Sequence, residues 1–269
     1  MDLGLRGQTA FITGASKGIG KATAKILAQE GCKVAITARG EEGLKQTAEE
    51  IARETGSVIL PLTGDMSVQS DVDRTINETV RKLGGIDIVV TCAGSSPPGL
   101  LEDLSEEDWL SSLNLKFMGY VRTCRAAIPH MKERGGSIVL VVGNDGLKPS
   151  FWELSAGVAN AADINFASSI ADQYGQYGIR VNTVNPGPVA TDRWDRLEKA
   201  LAHERGMDQV QAHDLTVSSM PLGRICEPEE VASIVAFLAS PRAGFITGAH
   251  IPVDGSQRKA VMAPPATTR

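Results

Sequence analysis

Thr13-Gly14-Ala15-Ser16-Lys17-Gly18-Ile19-Gly20 is the stretch on which the reading of this chain turns. Before it, Thr9-Ala10-Phe11-Ile12 predicts a short buried strand; after it, residues 21–30 carry Ala22, Ile26 and Leu27 on one helical face. Strand, glycine-rich turn and helix, in that order, are what a phosphate-binding turn needs. Glycines bend the backbone tightly and let it approach a pyrophosphate, while the helix start offers unpaired N–H groups and the positive end of its dipole. A glycine triplet alone is weak evidence, and the flanking strand and helix supply the missing context.

Outward from that turn, apolar runs at residues 33–37, 58–62, 86–90, 137–142, 180–184 and 250–253 predict further strands. Helical patterns at 41–54, 70–83, 109–134, 152–177 and 229–238 fall between or after them. Repeated βα units predict an α/β fold, a doubly wound parallel sheet with helices on both faces. No linker divides residues 1–256, which read as one domain with a mostly polar insertion at about 193–220; residues 257–269 read as a loose tail. Hydrophobic residues make up 42% of the 269, ample for a core. A net charge of −5 with no basic block gives no nucleic-acid surface. No apolar run is long enough to span a bilayer, and residues 1–6 lack the apolar core of a signal peptide, so the cytoplasm is expected. Cys32, Cys92, Cys124 and Cys226 lie far apart, mostly in apolar segments; they read as buried thiols and predict no metal site.

In order and spacing the chain resembles the short-chain dehydrogenases/reductases. The resemblance is carried by the glycine turn, Asp65, Cys92-Ala93-Gly94 (where the family usually has Asn-Ala-Gly), Asn114, Ile179-Arg180-Val181-Asn182, Pro186-Gly187-Pro188-Val189-Ala190-Thr191 and Ile246-Thr247-Gly248. It implies a single Rossmann-like domain with a seven-stranded parallel sheet, a nicotinamide cofactor, and a homodimer or homotetramer. The cofactor would lie on Gly14, Ser16, Lys17, Gly18, Ile19 and Gly20, with Asp65 and Met66 at the adenine. Cys92, Ala93, Gly94, Pro186, Gly187, Val189 and Thr191 would complete its site. NAD(H) sites generally place an acid at the end of the second strand, whereas a 2′-phosphate wants a cation. Here Ala38 stands at that place, Arg39 follows, and Lys17 adds a second cation, which favours NADP(H) over NAD(H).

The family's chemistry normally rests on Ser, Tyr and a Lys four residues after the Tyr, assisted by Asn. A gapless alignment from Gly136-Ser137-Ile138-Val139 to Ile179-Arg180-Val181-Asn182 puts Gly143, Ala156 and Asn160 at the first three positions, and Asn114 alone matches. None of Tyr120, Tyr174 and Tyr177 has a lysine four residues later, so the usual proton relay is expected to be missing. Glu153, Ala156 and Asn160 recur at i, i+3, i+7, which puts them on one helical face. Glu153 is then the candidate acid/base, with Asn160 and Asn114 holding a water or the substrate oxygen. The plain alternative makes Glu153 a helix-start carboxylate without chemistry. Asp145 and Lys148 stand next in line.

Phe151, Trp152, Trp194, Met207 and Met220 predict an apolar, bulky carbonyl or alcohol substrate. The function expected is an NADP(H)-dependent oxidoreductase with a non-standard proton path. A cofactor-binding relative without redox turnover and a non-redox lyase or isomerase are the alternatives.

Overall fold

Along β1 (Thr9–Thr13), Ala10 and Ile12 face one side and Phe11 the other, and all three are fully buried. A strand buried on both faces belongs inside a parallel sheet covered by helices on each side. The computed structural model describes residues 2–258 and contains that sheet. The other strands are β2 (Lys33–Ala38), β3 (Ile59–Thr63), β4 (Ile88–Thr91), β5 (Gly136–Val141), β6 (Ile179–Pro186) and β7 (His250–Val253). They run in the order β3-β2-β1-β4-β5-β6-β7, with every neighbouring pair parallel. The chain thus winds outward in opposite directions from the β1/β4 pair, and the loops leaving those strands part to form a crevice at their carboxyl ends.

Leu27 of α1 (Gly18–Gln29) and Leu44 and Ile51 of α2 (Glu41–Thr55) pack on one face. The opposite face is covered by Val72 and Ile76 of α3 (Gln69–Leu83), and further helices follow it in the chain. These are α4 (Glu106–Ser112), α5 (Met118–Met131), α6 (Leu154–Tyr174), α7 (Asp192–Arg205), α8 (Gln209–Ser218) and α9 (Pro228–Ala239). Helices α5 and α6 join α3, while α9 joins α1.

Four features differ from the sequence expectation. The helix expected at 109–134 is two helices joined by a π-turn at Leu113–Phe117, where the Met118 N–H reaches back five residues to the Leu113 carbonyl. Such a turn inserts one residue and rotates whatever follows. The helix expected from 152 starts at Leu154, which makes Glu153 its N-cap. The polar insertion is the α7–α8 pair, with its own apolar cluster of Trp152, Trp194, Leu197, Leu201 and Ala212. The Glu198 carboxylate ties the two helices, accepting from Trp194 Nε1 at 2.8 Å and lying 3.1 Å from His213 Nδ1. Finally, the expected tail is anchored at its start. Asn144 donates to Gln257 Oε1 at 2.7 Å, and the Arg258 N–H donates to the Ser219 carbonyl at 2.9 Å. Residues 259–269 of that tail lie outside the described residues.

Candidate active site

Gly14 has φ +66°, and a Cβ on it would stand 2.7 Å from the Ala93 backbone nitrogen. Only glycine lets the turn lie this close to the loop after β4. The Thr13 hydroxyl fastens that loop, accepting from the Cys92 and Ala93 N–H groups at 3.1 and 3.2 Å. No side chain caps α1, so its first N–H groups face the crevice as an anion site. The crevice is a groove of about 870 Å³ lined by Gly14, Ser16, Lys17, Gly18, Ile19, Gly20, Arg39, Asp65, Met66, Cys92, Ala93, Gly94 and Thr191. The glycine cradle and open helix terminus fit a dinucleotide pyrophosphate. Arg39 is exposed at the end of β2, with no hydrogen bond or ion pair to a described residue. Lys17 does not join it: its ammonium pairs with Asp192 at 3.0 Å, and both side chains are more than 60% exposed. An ion pair this exposed is weak, and Lys17 still lines the groove. Asp65 is partly turned inward, accepting from the Ser67 N–H and hydroxyl at 2.8 and 2.7 Å.

The groove opens into a smaller cavity of about 180 Å³; Ile19, Cys92, Gly94 and Thr191 border both. Pro186, Gly187 and Val189 line this cavity rather than the groove. Its other walls include Lys116, Asp145, Lys148, Glu153, Asn160 and Arg193. Position 143 cannot carry a side chain as things stand. A Cβ on Gly143 would meet Asp145 Oδ1 at 2.5 Å and Asn160 Nδ2 at 2.6 Å. Those two groups hydrogen-bond each other, Asn160 donating, and they occupy the space where a serine would project. Ala156, at the aligned tyrosine position, is 1% exposed.

Two expectations need correction. Asn114 is exposed and lines neither groove nor cavity, because its amide oxygen accepts from Arg122 Nη2 at 2.6 Å on the outer side of the π-turn. Of the five large apolar residues expected around the substrate, only Trp194 reaches the cavity. Phe151, Trp152 and Met207 pack in or against the α7–α8 cluster, and Met220 is buried outside the lining. A lysine and a tyrosine do share the cavity, in the reverse of the family order: Lys116 comes four residues before Tyr120. The Tyr120 hydroxyl is buried and donates to the Val141 carbonyl at 2.8 Å. Burial holds it well above the usual phenol range, so it is a structural group rather than a proton source. Lys148 lines the cavity but binds Asp254 at 2.5 Å.

The charges on and behind the cavity wall act on one another. Burial pushes Lys116 below the usual amine range, Arg193 adds to that, and Asp145, Asp163 and Glu153 oppose it. Burial raises Asp163 to about 8, against the pull of Lys116, and neither of its oxygens has a hydrogen-bond partner among the described residues. Glu153 is raised by burial and by Asp145, while Arg193, 3.4 Å away, holds it from α7. Burial lifts the Cys92 thiol to about 12, which removes it as a nucleophile. Lys116, Asp163 and Arg193 escaped the sequence reading. Asp163 lies three residues after Asn160, a spacing that was available, whereas its burial was not.

Residues 14–256 match a family profile described as enoyl-(acyl carrier protein) reductase. The chain is 34% identical over 254 residues to the 3-oxoacyl-(acyl-carrier-protein) reductase FabG of Vibrio cholerae, covering 94% of this chain and 98% of that one. It is 30% identical to the NADPH-dependent reductase BacG of Bacillus subtilis, covering 94% and 99%. The L-sorbose reductase of Gluconobacter frateurii, solved with NADPH and L-sorbose, superposes with a TM-score of 0.91 at 31% identity, covering 97% of this chain and 100% of that one.

Proposed function

We propose, on the premise that this chain belongs to the short-chain dehydrogenase/reductase family, that it is an NADPH-dependent reductase of small, polar ketones. Membership makes it an NAD(P)-dependent oxidoreductase by class; the cofactor, the substrate type and the proton path are our reading. Arg39, free at the end of β2 with no acid before it, supports NADP(H), with NAD(H) the weaker alternative. The NADPH-dependent relatives support the same choice. Bound in the groove, the reduced nicotinamide would supply a hydride.

The observation that carries the reading is the wall shared by groove and cavity at Gly94 and Thr191, beyond which Lys116, Asp145, Glu153 and Arg193 cluster among apolar residues such as Val189, Trp194 and Leu197. A hydride donor in the groove would meet a substrate held by Lys116, Asn160, Glu153 and Arg193. Such walls suit a hydroxylated ketone better than an apolar one, and the neighbour solved with L-sorbose agrees with that choice. Asn160 Oδ1 is buried and has no partner among the described residues. Glu153, its side chain 16% exposed, is the group through which the cavity would exchange protons with water. The usual serine, tyrosine and lysine take no part in this reading. By analogy with the family, the working unit is a cytoplasmic homodimer or homotetramer.

The test is NADPH oxidation, followed by absorbance, against a panel of hydroxyketones, diketones and simple ketones. Turnover with the polar members is expected. Tight NADPH binding with no turnover on any carbonyl would replace this reading with that of a redox-inactive relative. Substrate loss without NADPH consumption would replace it with a lyase or isomerase.

A further inference from the structure

Lys116 leaves the π-turn and runs past Gly94, its Cγ and Cδ 3.6 Å and its Nζ 3.9 Å from where a Cβ on that glycine would stand. Because Gly94 borders both groove and cavity, the amine stands at their junction. No hydrogen bond or ion pair joins it to a described residue, although Lys116 is only 8% exposed. The charged groups facing it are Arg193 of α7, Asp145 beyond β5, Asp163 of α6 and Glu153 at the α6 N-cap. A buried lysine without a partner is costly to maintain, and a π-turn that aims one into a cavity is a feature often found at functional sites.

We propose that Lys116 gives the proton to the substrate oxygen during ketone reduction and takes it back during alcohol oxidation. The inference rests on the reductase reading above. In the step, the carbonyl carbon gains a hydride from the reduced nicotinamide dinucleotide and forms the new C–H bond. The π pair moves onto oxygen, and the O–H bond forms as an N–H bond of Lys116 breaks. Alcohol, oxidised dinucleotide and a neutral amine result; a proton from water restores the ammonium. Burial and Arg193 bring the acid strength of Lys116 closer to neutrality, which suits a group that must both give and take a proton.

The test combines a titration and a pH profile. Protein carrying lysine labelled with 13C at the ε carbon is titrated by NMR without cofactor, the Lys116 signal being assigned by its loss in Lys116→Met. That signal is expected to titrate below the surface lysines. With NADPH and a reducible ketone, wild-type kcat/KM is expected to fall above the same pH. Lys116→Met should remove that limb and lower kcat/KM by about 10²–10⁴-fold, while NADPH binding, read by fluorescence, stays within a few-fold. Lys116→Arg should keep the charge and still lose the limb. A Lys116 signal that titrates with the surface lysines overturns the inference. So does a Lys116→Met enzyme that binds NADPH and keeps both rate and limb. If the wild type reduces no ketone, the reductase reading falls separately. The titration then stands alone: a Lys116 signal that titrates with the surface lysines overturns the inference in that case too, and one that titrates below them keeps Lys116 as the cavity's proton donor.

Discussion

Restoring serine at position 143 is expected to damage this protein rather than repair it. The added Cβ would stand 2.5 Å from Asp145 Oδ1 and 2.6 Å from Asn160 Nδ2, about 1 Å inside the separation at which such atoms rest. Neither group has room to retreat: Asp145 is 8% and Asn160 1% exposed, and Gly146 lies against the Asn160 backbone, where its own Cβ would sit at 2.8 Å. Overpacking at such a site costs about 1–3 kcal/mol. Breaking the bond from Asn160 to a buried carboxylate costs about 1.5–3 kcal/mol. Because the two losses share atoms, the sum for Gly143→Ser should be roughly 2–5 kcal/mol. With a urea slope of about 2–3 kcal/mol per M for a chain of this size, the unfolding midpoint should drop by about 1–2 M. Circular dichroism in urea reads this directly. Asn160→Ala in the serine background should be milder than the two single changes added, with a coupling of about 1 kcal/mol or more. A Gly143→Ser protein with an unmoved midpoint would refute the argument, since it would mean that Asp145 and Asn160 are free to step aside.

Arg39→Ala should weaken NADPH binding by about 5–30-fold, the effect of about 1–2 kcal/mol for a solvent-exposed arginine on a phosphate. NADH binding should barely change, and equal losses for both, measured by fluorescence titration, would remove Arg39 from the 2′-phosphate. Glu153→Gln preserves a contact for Arg193 but not the acid, so kcat should fall by about tenfold or more with NADPH affinity unchanged; unaltered turnover leaves Glu153 as a plain helix-start residue. Asp163 affects stability with a definite sign. Its folded value of about 8 lies above the unfolded value near 4, so the folded state holds the extra proton in between and wild-type stability falls as pH rises through that window. Asp163→Asn should remove this loss, gaining on the wild type by about 1.4 kcal/mol per pH unit across the window in urea midpoints. Parallel pH profiles for the two proteins would contradict it.

The groove beside the glycine turn was legible because its requirements are local. Glycines at fixed offsets between β1 and α1 do their work through the backbone, and each predicted residue of the turn lines the groove. The sheet was legible for the same kind of reason, from short apolar runs between helical patterns. The α7–α8 pair was partly so: Trp194, Leu197 and Leu201 have helical spacing, but the charges between them gave the stretch a polar average. The cavity chemistry was legible only in part: Glu153, Asn160, Asp145 and Lys148 were candidates and line it, but Lys116 and Arg193 were not. Asn114 and Lys116 lie about 200° apart on a helix, on opposite faces, and the inserted π residue changes which face later residues present. Reading the segment as one helix at 109–134 hid that choice. Asp163 shows a second limit, since a carboxylate on a helix looks solvated until the packing of α6 against the sheet is known.

The groups that fill the cavity also constrain one another, and this yields a last prediction. Gly143 leaves room for the Asp145–Asn160 bond, and Asn160 in turn gives the buried Asp145 its donor. Lys116 supplies positive charge facing Asp145, Asp163 and Glu153. Installing the usual family residues by Gly143→Ser, Ala156→Tyr and Asn160→Lys would therefore not rebuild a working relay. The new lysine would bring a second ammonium into a cavity of about 180 Å³ that already holds Lys116, and Asp145 would still obstruct the serine. Like charges in a low-dielectric site repel strongly, and an unpaired buried charge is more damaging than none. The triple variant should unfold at lower urea than Gly143→Ser alone and reduce ketones no faster than the wild type. Adding Lys116→Ser should recover part of the lost stability by removing the competing ammonium. A triple variant as stable and as active as the wild type would show that these positions act independently, and the electrostatic account of the cavity would fail with it.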